Sequence, residues 1–288
     1  MNRYGDPAAL RQALLKRLAN QAADLGLPPE RLQRRATFER LLVRLEHARP
    51  GRFVLKGGMA LDVRLGARAR RTRDLDLVVR DEIADGTALR EIVIECLLDD
   101  PDGDGFEFLV GAPREIRADE AGRPGWGLPV DARLAGTTFA KVKVEIVDRA
   151  DEITGVQRIG LPGVLAFAGM PVADVEAVDF AQHFAEKLHA YTRRYGDREN
   201  SRTKDLVDMA ILIEERTDPG AALAAARHVF AVRGLHVLPS ELPDPPAFWR
   251  EDYARLIQDL DVAARTVDDA MTVVRAFWAQ ALATQEGD

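Results

Sequence analysis

Two short motifs, Lys56-Gly57-Gly58 and Thr72-Arg73-Asp74-Leu75-Asp76-Leu77, lie close together in the chain. The Gly-Gly pair follows an apolar segment at residues 52–55, which predicts a strand, and precedes a helix predicted over residues 59–65. A strand-to-helix turn of this kind presents backbone N–H groups, and the helix N-terminus adds a partial positive charge suited to phosphate. The alternative is a plain turn. The spacing matches neither a Walker A loop nor a dinucleotide-binding fingerprint.

The second motif places two carboxylates on one side of a predicted strand. Asp74 and Asp76 are two positions apart, next to or within the strand predicted over residues 75–79, so both side chains project from the same face. Two like charges held so close repel each other unless a cation lies between them. Mg²⁺ binds carboxylate and phosphate oxygens together, so the pair is a candidate metal platform. The alternative is the polar face of an edge strand.

A third candidate carboxylate is Glu145, in the strand predicted over residues 139–148. Apolar and charged residues alternate along this segment, which places Glu145 on the polar face. An unpaired acid among valines is costly to bury, so an ordinary explanation is a cross-strand pair with a lysine or arginine. Two-metal phosphoryl-transfer chemistry would instead use it as a metal ligand, or as the base for the attacking hydroxyl.

The composition is typical of a globular protein with a large aliphatic core. Of the 288 residues, 47% are hydrophobic, 30% charged and 6% aromatic. The single cysteine, Cys96, excludes an intrachain disulfide framework, is expected at a buried helix position and favours a reducing compartment. No apolar run approaches the roughly 20 residues of a membrane span. The N-terminus shows no secretory signal. We therefore expect a cytoplasmic protein that does not bind membranes.

Basic residues are unevenly distributed, although the net charge of −7 argues against a nonspecific nucleic-acid coat. Two basic clusters flank the candidate motifs, and either could be ordinary solvated surface. We favour recognition of a polyanion, because each cluster lies beside a candidate site. The clusters are Arg64, Arg68, Arg70, Arg71 and Arg73, and then Arg193, Arg194, Arg198, Arg202 and Lys204.

The order of predicted elements indicates an α+β protein. N-terminal helices precede a mixed sheet core, and the chain from about residue 175 onward is predicted to be helical. We expect two domains: residues 1–160, with the core and the N-terminal helices, and residues 161–288, a helical domain that completes the active site. The other predicted helices cover 7–26, 29–48, 84–98, 175–195, 203–216, 219–233, 248–260 and 262–284, and the other predicted strands cover 105–117 and 128–135, around a loop at 121–129.

Taken together, KGGMAL, TRDLDL and the later VEIV resemble the pattern of the nucleotidyltransferase superfamily. The order of motifs is most similar to the AbiEii/AbiGii-type toxins, which include the MenT toxins. In that branch a KLHA helix and a DLVD helix follow the carboxylate strand. Here the corresponding segments are residues 182–190, QHFAEKLHA, and residues 202–208, RTKDLVD. The four motifs span residues 56–208, whereas residues 1–48 and 215–288 carry no such motif.

The resemblance implies a role for each matching residue. It implies catalytic roles for Asp74, Asp76, Lys187 and Asp208, and Mg²⁺ ligands at Asp74, Asp76 and Glu145. It implies nucleotide-binding roles for Lys56, Gly57, Gly58, Thr72, Arg73, Arg202 and Asp205. In this scheme Lys187 contacts the triphosphate, and Asp205 orients Lys187 or Arg202. Considered singly, Lys187 could be solvent-exposed, Asp205 and Asp208 could be surface acids, and His189 could be a partly buried histidine with a structural partner.

The function implied by the resemblance is that of a Mg²⁺-dependent nucleotidyltransferase. The enzyme would bind an NTP between the α/β core and the C-terminal helices, transfer NMP to the 3′ end of a tRNA and release pyrophosphate. Blocked aminoacylation would halt translation, so the protein would be the toxin of a pair with a cognate antitoxin. Two alternatives stay open. The acceptor could be a small molecule or a protein side chain, or the chain could be a catalytically silent nucleotide- or RNA-binding module.

Overall fold

A computed structural model of the chain describes residues 4–70, 72–116, 125–196 and 199–284. Arg71 and Arg198, members of the two basic clusters, lie outside the described residues, as do residues 117–124 of a predicted strand and loop. The chain forms two compact units that alternate along the sequence. Unit 1 comprises the described parts of Met1–Met59, Thr72–Asp148 and Arg158–Ala177, and unit 2 those of Ala60–Arg71, Arg149–Gln157 and Val178–Asp288. The predicted division after residue 160 stays a prediction.

Helices and strands are numbered in chain order within the described residues. They are α1 (Pro7–Asp24), α2 (Pro29–Ala48), β1 (Phe53–Lys56), α3 (Gly57–Leu65), β2 (Asp74–Val79), α4 (Gly86–Leu98), β3 (Phe106–Val110), β4 (Arg114–Glu115), β5 (Gly125–Leu134), β6 (Thr137–Asp148), β7 (Val156–Gly160), β8 (Asp174–Val178), α5 (Phe180–Thr192), α6 (Thr203–Glu214), α7 (Pro219–Arg233), α8 (Trp249–Ile257) and α9 (Val267–Ala283). The α+β fold class is confirmed.

The strands form one mixed sheet, in the order β3-β5-β6-β2-β1-β8-β7, with β4 paired to β5. The strand β2 pairs antiparallel to β1 and parallel to β6, so the carboxylate strand is central rather than at an edge. Its alternation is clear: Leu75 and Leu77 are buried, whereas Asp74 and Asp76 on the opposite face are half-buried. The alternative interpretation of this motif, the polar face of an edge strand, is therefore wrong.

The N-terminal helices pack on unit 1 through a continuous apolar cluster. Helix α1 begins at Pro7 behind Asp6, whose carboxylate accepts hydrogen bonds from the N–H groups of Ala8 and Ala9. Its buried stripe of leucines recurs at helical spacing and joins a cluster that includes Phe106 and Phe139 of the sheet. The helices predicted over 7–26 and 29–48 are confirmed.

A buried ionic network also holds unit 1 together. Arg40 and Arg44 of α2 are almost fully buried and bind the acidic segment between α4 and β3. The Arg44 Nη1 and Nη2 atoms lie 2.9 and 2.7 Å from the two carboxylate oxygens of Asp104. Arg40 pairs with Asp104 and with Asp102. Because the carboxylates of this Asp-rich segment are bound by guanidinium groups, the segment is tied to α2.

Helices α5–α9 build the core of unit 2. Trp249, Tyr253 and Trp278 are buried in one apolar cluster with the inner faces of α5 and α6. Helix α9 starts with a capping box, in which Thr266 accepts from the Asp269 N–H and Asp269 accepts from the Thr266 N–H. None of the helices among the described residues is both long enough and apolar enough to cross a membrane.

Several predicted element boundaries are wrong, each for a local reason. Residues 175–178 belong to strand β8 rather than to a helix, and helix α5 starts only after Asp179 caps it by accepting from Gln182. The segment predicted as one strand over 105–117 is interrupted between β3 and β4, next to Pro113. Strand β5 already begins at Gly125, inside the predicted loop. Helix α9 begins at Val267, not at residue 262.

Candidate functional site

The glycine turn is packed tightly against one of the motif carboxylates. Gly57 has φ +63°, a left-handed conformation that favours glycine. A β-carbon placed there would overlap the Asp76 Oδ2 atom and lie 2.7 Å from its Cγ. Strand β1 pairs with β2 so that Lys56 lies opposite Asp76, which brings the turn to the carboxylate. The glycine is therefore required both by its backbone conformation and by the space that Asp76 fills.

The sheet brings the third carboxylate next to the first two. In the parallel pairing of β2 with β6, Asp76 lies opposite Glu145 and Asp74 lies opposite Lys143. Since paired residues on neighbouring strands share a face, Asp74, Asp76 and Glu145 lie on the same side of unit 1. All three are half-buried rather than sealed in the core. Thr72 lies beside this face, and its hydroxyl donates to the Asp74 carbonyl oxygen at 3.2 Å.

Lys143 contributes positive charge to this carboxylate face, as does Lys56 opposite Asp76. The Lys143 Nζ atom donates to Glu145 Oε1, two residues along the same strand. This hydrogen bond raises the pKa of Lys143; partial burial opposes the shift, and the charges of Glu145, Asp74 and Asp76 add to it. The alternative given for Glu145 was a cross-strand pair with a lysine or arginine. Glu145 does pair with a lysine, but this lysine lies on the same strand. The sequence alone places Lys143 on the polar face of this strand, but the register that sets it opposite Asp74 is visible only in the sheet.

The donor chemistry of this face suits a hard divalent cation, since it offers half-buried carboxylates on adjacent residues of one strand face. Asp74 and Asp76 could supply protein ligands, with phosphate and water oxygens completing the shell. In the described part of the chain, no three His, Cys, Asp or Glu side chains are grouped closely enough to hold a metal ion together. The prediction that Glu145 is a third ligand stays a prediction.

A second set of predicted site residues is assembled inside unit 2, between α5 and α6. The Lys187 Nζ atom lies 3.0 Å from Asp205 Oδ1 and 2.8 Å from Asp208 Oδ2. Arg70 makes a bidentate pair with Asp208, at 2.7 and 2.9 Å, and Arg202 pairs with Asp205. Three cations therefore meet two carboxylates, which leaves one net positive charge in the set.

The burial of this network excludes the surface alternatives. Asp205 and Asp208 are fully buried and Lys187 is only 9% exposed, so none of the three is an ordinary surface residue. Burial raises the pKa of Asp208, but the charges of Lys187 and Arg70 outweigh it and hold that pKa well below its usual range. Burial also opposes the positive charge of Lys187, whose pKa is nevertheless raised by Asp208 and Asp205. Asp208 and Lys187 are thus both held in their charged forms.

Sequence reasoning missed His183, a neighbour of this network, although it had noted Arg64 in the first basic cluster. His183 lies one helical turn before Lys187 and is fully buried, and neither ring nitrogen has a hydrogen-bond partner among the described residues. Burial, followed by the charge of Lys187, lowers its pKa to about 3. The Arg64 guanidinium lies 5.0 Å from the centre of the Phe180 ring. Only the spacing of four residues to Lys187 could have indicated His183.

The basic clusters are largely engaged in internal pairs. Arg68 binds Glu214 and Glu215, and Arg70 binds Asp208, so these two arginines hold unit 2 together. Arg193 lies over the Tyr195 ring. Exposed basic side chains remain at Arg73, Arg194 and Lys204. His189 is 1% exposed, and its Nδ1 lies 3.2 Å from Arg233, which agrees with a structural histidine.

Comparison with known protein families decides the identity. The family model described as "Nucleotidyl transferase AbiEii toxin, Type IV TA system" matches residues 40–277. The chain belongs to this AbiEii family. The AbiEii resemblance of the motifs is thereby confirmed, and the protein is a nucleotidyltransferase. Membership implies an NTP substrate, usually a divalent metal, and a cognate antitoxin.

The solved structure of one nucleotidyltransferase toxin has the same fold as this AbiEii protein. The nucleotidyltransferase toxin MenT4 of Mycobacterium tuberculosis is 21% identical, with 94% of this chain and 89% of that chain covered and a TM-score of 0.56. JHP933 of Helicobacter pylori is 15% identical, with 88% and 94% covered and a TM-score of 0.48. No curated protein sequence matches the chain.

Proposed function

We propose that this AbiEii protein uses Mg²⁺ to transfer the nucleoside monophosphate of an NTP to the 3′ end of a tRNA, and that it is a toxin acting in the cytoplasm. The observation that supports this most strongly is the carboxylate face of unit 1. Asp74 and Asp76 share it, Glu145 lies in register with Asp76, and the turn at Gly57 packs against Asp76. A metal platform beside backbone N–H groups is what nucleotidyl transfer requires.

In the proposed reaction, Asp74 and Asp76 hold the metal, and Gly57 and Gly58 present backbone N–H groups to the phosphates. A divalent cation bound there would polarise the α-phosphate and neutralise the negative charge that develops as pyrophosphate leaves. The acceptor hydroxyl attacks the α-phosphorus, one new P–O bond forms, and the bond to the leaving pyrophosphate breaks. Lys56, Thr72 and Arg73 flank these residues along the chain, and we assign them to nucleotide binding.

We assign the network of unit 2 to binding the triphosphate. Lys187 is fixed between Asp205 and Asp208, so its ammonium is charged and held in one position. Arg202 is part of the same set, which has a net positive charge suited to a polyanion. A preorganised cation of this kind stabilises developing charge without reorganising during the reaction. Asp208 would act through Lys187 and Arg70, and Asp205 through Lys187 and Arg202.

The tRNA acceptor is supported by exposed basic side chains outside the paired network, such as Arg73, Arg194 and Lys204. Contacts of lysine and arginine with phosphates give sequence-independent affinity that weakens as salt rises. Transfer to RNA should therefore fall as the salt concentration increases from about 50 to 200 mM. A flat salt response would argue against RNA as the acceptor.

The test of the acceptor is an incubation of the protein with each NTP, labelled at the α-phosphate, and total RNA. We expect label on tRNA-sized RNA, and sequencing of RNA 3′ ends should show added nucleotides on tRNA. The Asp74→Asn variant is the control and should add none. Label found only on a protein or a small molecule would replace the tRNA proposal with one of those acceptors. The absence of any label transfer would contradict the catalytic proposal itself.

A further inference from the structure

One cation of the carboxylate face has no assigned role in the reaction. Lys143 lies opposite Asp74 in the pairing of β6 with β2, and its Nζ donates to Glu145. Glu145 in turn lies opposite Asp76. The ammonium is therefore on the same face as all three carboxylates, which are the groups that a bound metal would need as ligands.

The neighbouring strand leaves room for this arrangement. Gly127 of β5 lies opposite Glu145, and a β-carbon at Gly127 would lie 2.7 Å from the Lys143 Cε atom. The lysine side chain thus extends across the position that a side chain on β5 would occupy. Its side chain is 45% exposed, so the ammonium can leave the face without disturbing the core.

Three carboxylates on one face repel each other, and a cation must offset that repulsion when no metal is present. An ammonium on a flexible four-carbon stem is a mobile point charge, unlike a buried arginine with several fixed partners. A divalent cation at Asp74 and Asp76 would place two positive charges next to this ammonium. The two cations cannot share the face without strong mutual repulsion.

We propose that Lys143 is a built-in competitor of the catalytic metal: its ammonium offsets part of the negative charge of the carboxylate face and binds Glu145 until a divalent cation displaces it. This inference rests on the proposed metal site at Asp74 and Asp76. In this role Lys143 weakens the binding of free metal to Asp74 and Asp76. This role also explains why Glu145, although in register with Asp76, is paired with a lysine on its own strand.

The test is titration calorimetry of the full-length protein with Mn²⁺ alone. Lys143→Met should bind Mn²⁺ about three- to tenfold more tightly than the wild type, because it removes the competing charge. Lys141→Met is the matched control, since Lys141 is an exposed lysine on the same strand face, two residues further from Glu145. It should change the affinity by less than about twofold. Lys143→Arg, which keeps the charge, should bind no more tightly than the wild type.

Thermal melting without metal provides a second readout. Lys143→Met should melt at a lower temperature than Lys141→Met, and Mn²⁺ should raise its melting temperature by the larger amount. Unchanged or weaker Mn²⁺ binding by Lys143→Met would overturn the proposal, and so would tightening of equal size in Lys141→Met. The Asp76→Asn variant distinguishes failure of the proposed metal site from failure of the competitor role of Lys143. If it abolishes Mn²⁺ binding while Lys143→Met has no effect, the metal site stands and the competitor role fails. If neither the wild type nor Lys143→Met binds Mn²⁺, both fail.

Discussion

The substitution Gly57→Ala tests the link between the glycine turn and the metal face. The added methyl group would overlap Asp76 Oδ2 and lie 2.7 and 2.9 Å from the Asp76 Cγ and Cβ atoms. Because Cβ is attached to the backbone, rotation of the carboxylate alone does not relieve the overlap. Asp76 and strand β2 must move away from the turn, and the carboxylate would leave its place opposite Glu145.

The magnitude follows from two separate contributions. A residue other than glycine at φ +63° costs about 1–2 kcal/mol. Overpacking against Asp76 adds about 1–3 kcal/mol. Gly26→Ala is the matched control in the same unit, because Gly26 has φ +62° and a β-carbon there meets no heavy atom of the described residues within 4 Å. The control should lose only the first contribution, so the two variants should differ by about 1–3 kcal/mol.

Urea denaturation followed by circular dichroism measures the two free energies of unfolding, and NTP-dependent label transfer measures the effect on the site. We expect Gly57→Ala to be the less stable variant and to lose transfer by at least about 100-fold, since a displacement of about 1 Å at a reacting centre has that effect. Gly26→Ala should retain transfer. Equal stabilities, or full transfer by Gly57→Ala, would refute the role given to the turn.

Three further predictions concern buried ionisable groups. Asp208→Asn should destabilise the protein by about 3–5 kcal/mol in urea denaturation, because the cations of Lys187 and Arg70 lose their buried counter-charge; a loss below about 1 kcal/mol would contradict the network. Arg44→Met should cost about 3–5 kcal/mol, because Asp104 is fully buried, whereas Arg49→Met, at a more exposed pair with Asp81, should cost at most about 1 kcal/mol. Burial lowers the pKa of His183 from its ordinary 6.5 to about 3 in the folded state, so the unfolded chain binds the proton first as the pH falls. Its contribution to stability is present above pH 6.5 and is lost as the pH falls towards 3, by up to about 1.4 kcal/mol per pH unit. His183→Gln should therefore show a shallower dependence of unfolding free energy on pH, and an unchanged slope would contradict the burial of a neutral imidazole.

The local parts of the site could be predicted because they follow from short-range geometry. Spacing of two places Asp74 and Asp76 on one strand face, and a Gly-Gly pair after a strand predicts a turn. Both features are set within a few residues. The confirmed α+β class and the family resemblance rest on the same motifs, whose order along the chain is visible without any tertiary information.

The remaining features depend on contacts between distant segments. Whether Glu145 lies opposite Asp76 depends on the parallel register of β2 and β6, which no local pattern specifies. The burial of Lys187 depends on how α6 packs against α5. The sequence of α5 alone is equally compatible with a Lys187 side chain that faces solvent. Residues 175–178 are predicted as helix from the sequence but form part of strand β8, because a short apolar run fits either periodicity. The internal pairs of Arg68 and Arg70 could not be predicted for the same reason, since these arginines meet their acidic partners only in the folded unit.

The central claim is that this chain transfers a nucleotide through the carboxylate face at Asp74 and Asp76. The most direct measurement compares NTP labelled at the α-phosphate with NTP labelled at the γ-phosphate, using the wild type and Asp76→Asn with total RNA. We expect that only the α-label becomes covalently attached to RNA, that the γ-label is released as pyrophosphate, and that Asp76→Asn attaches neither. Attachment of the γ-label, or undiminished attachment of the α-label by Asp76→Asn, would contradict it.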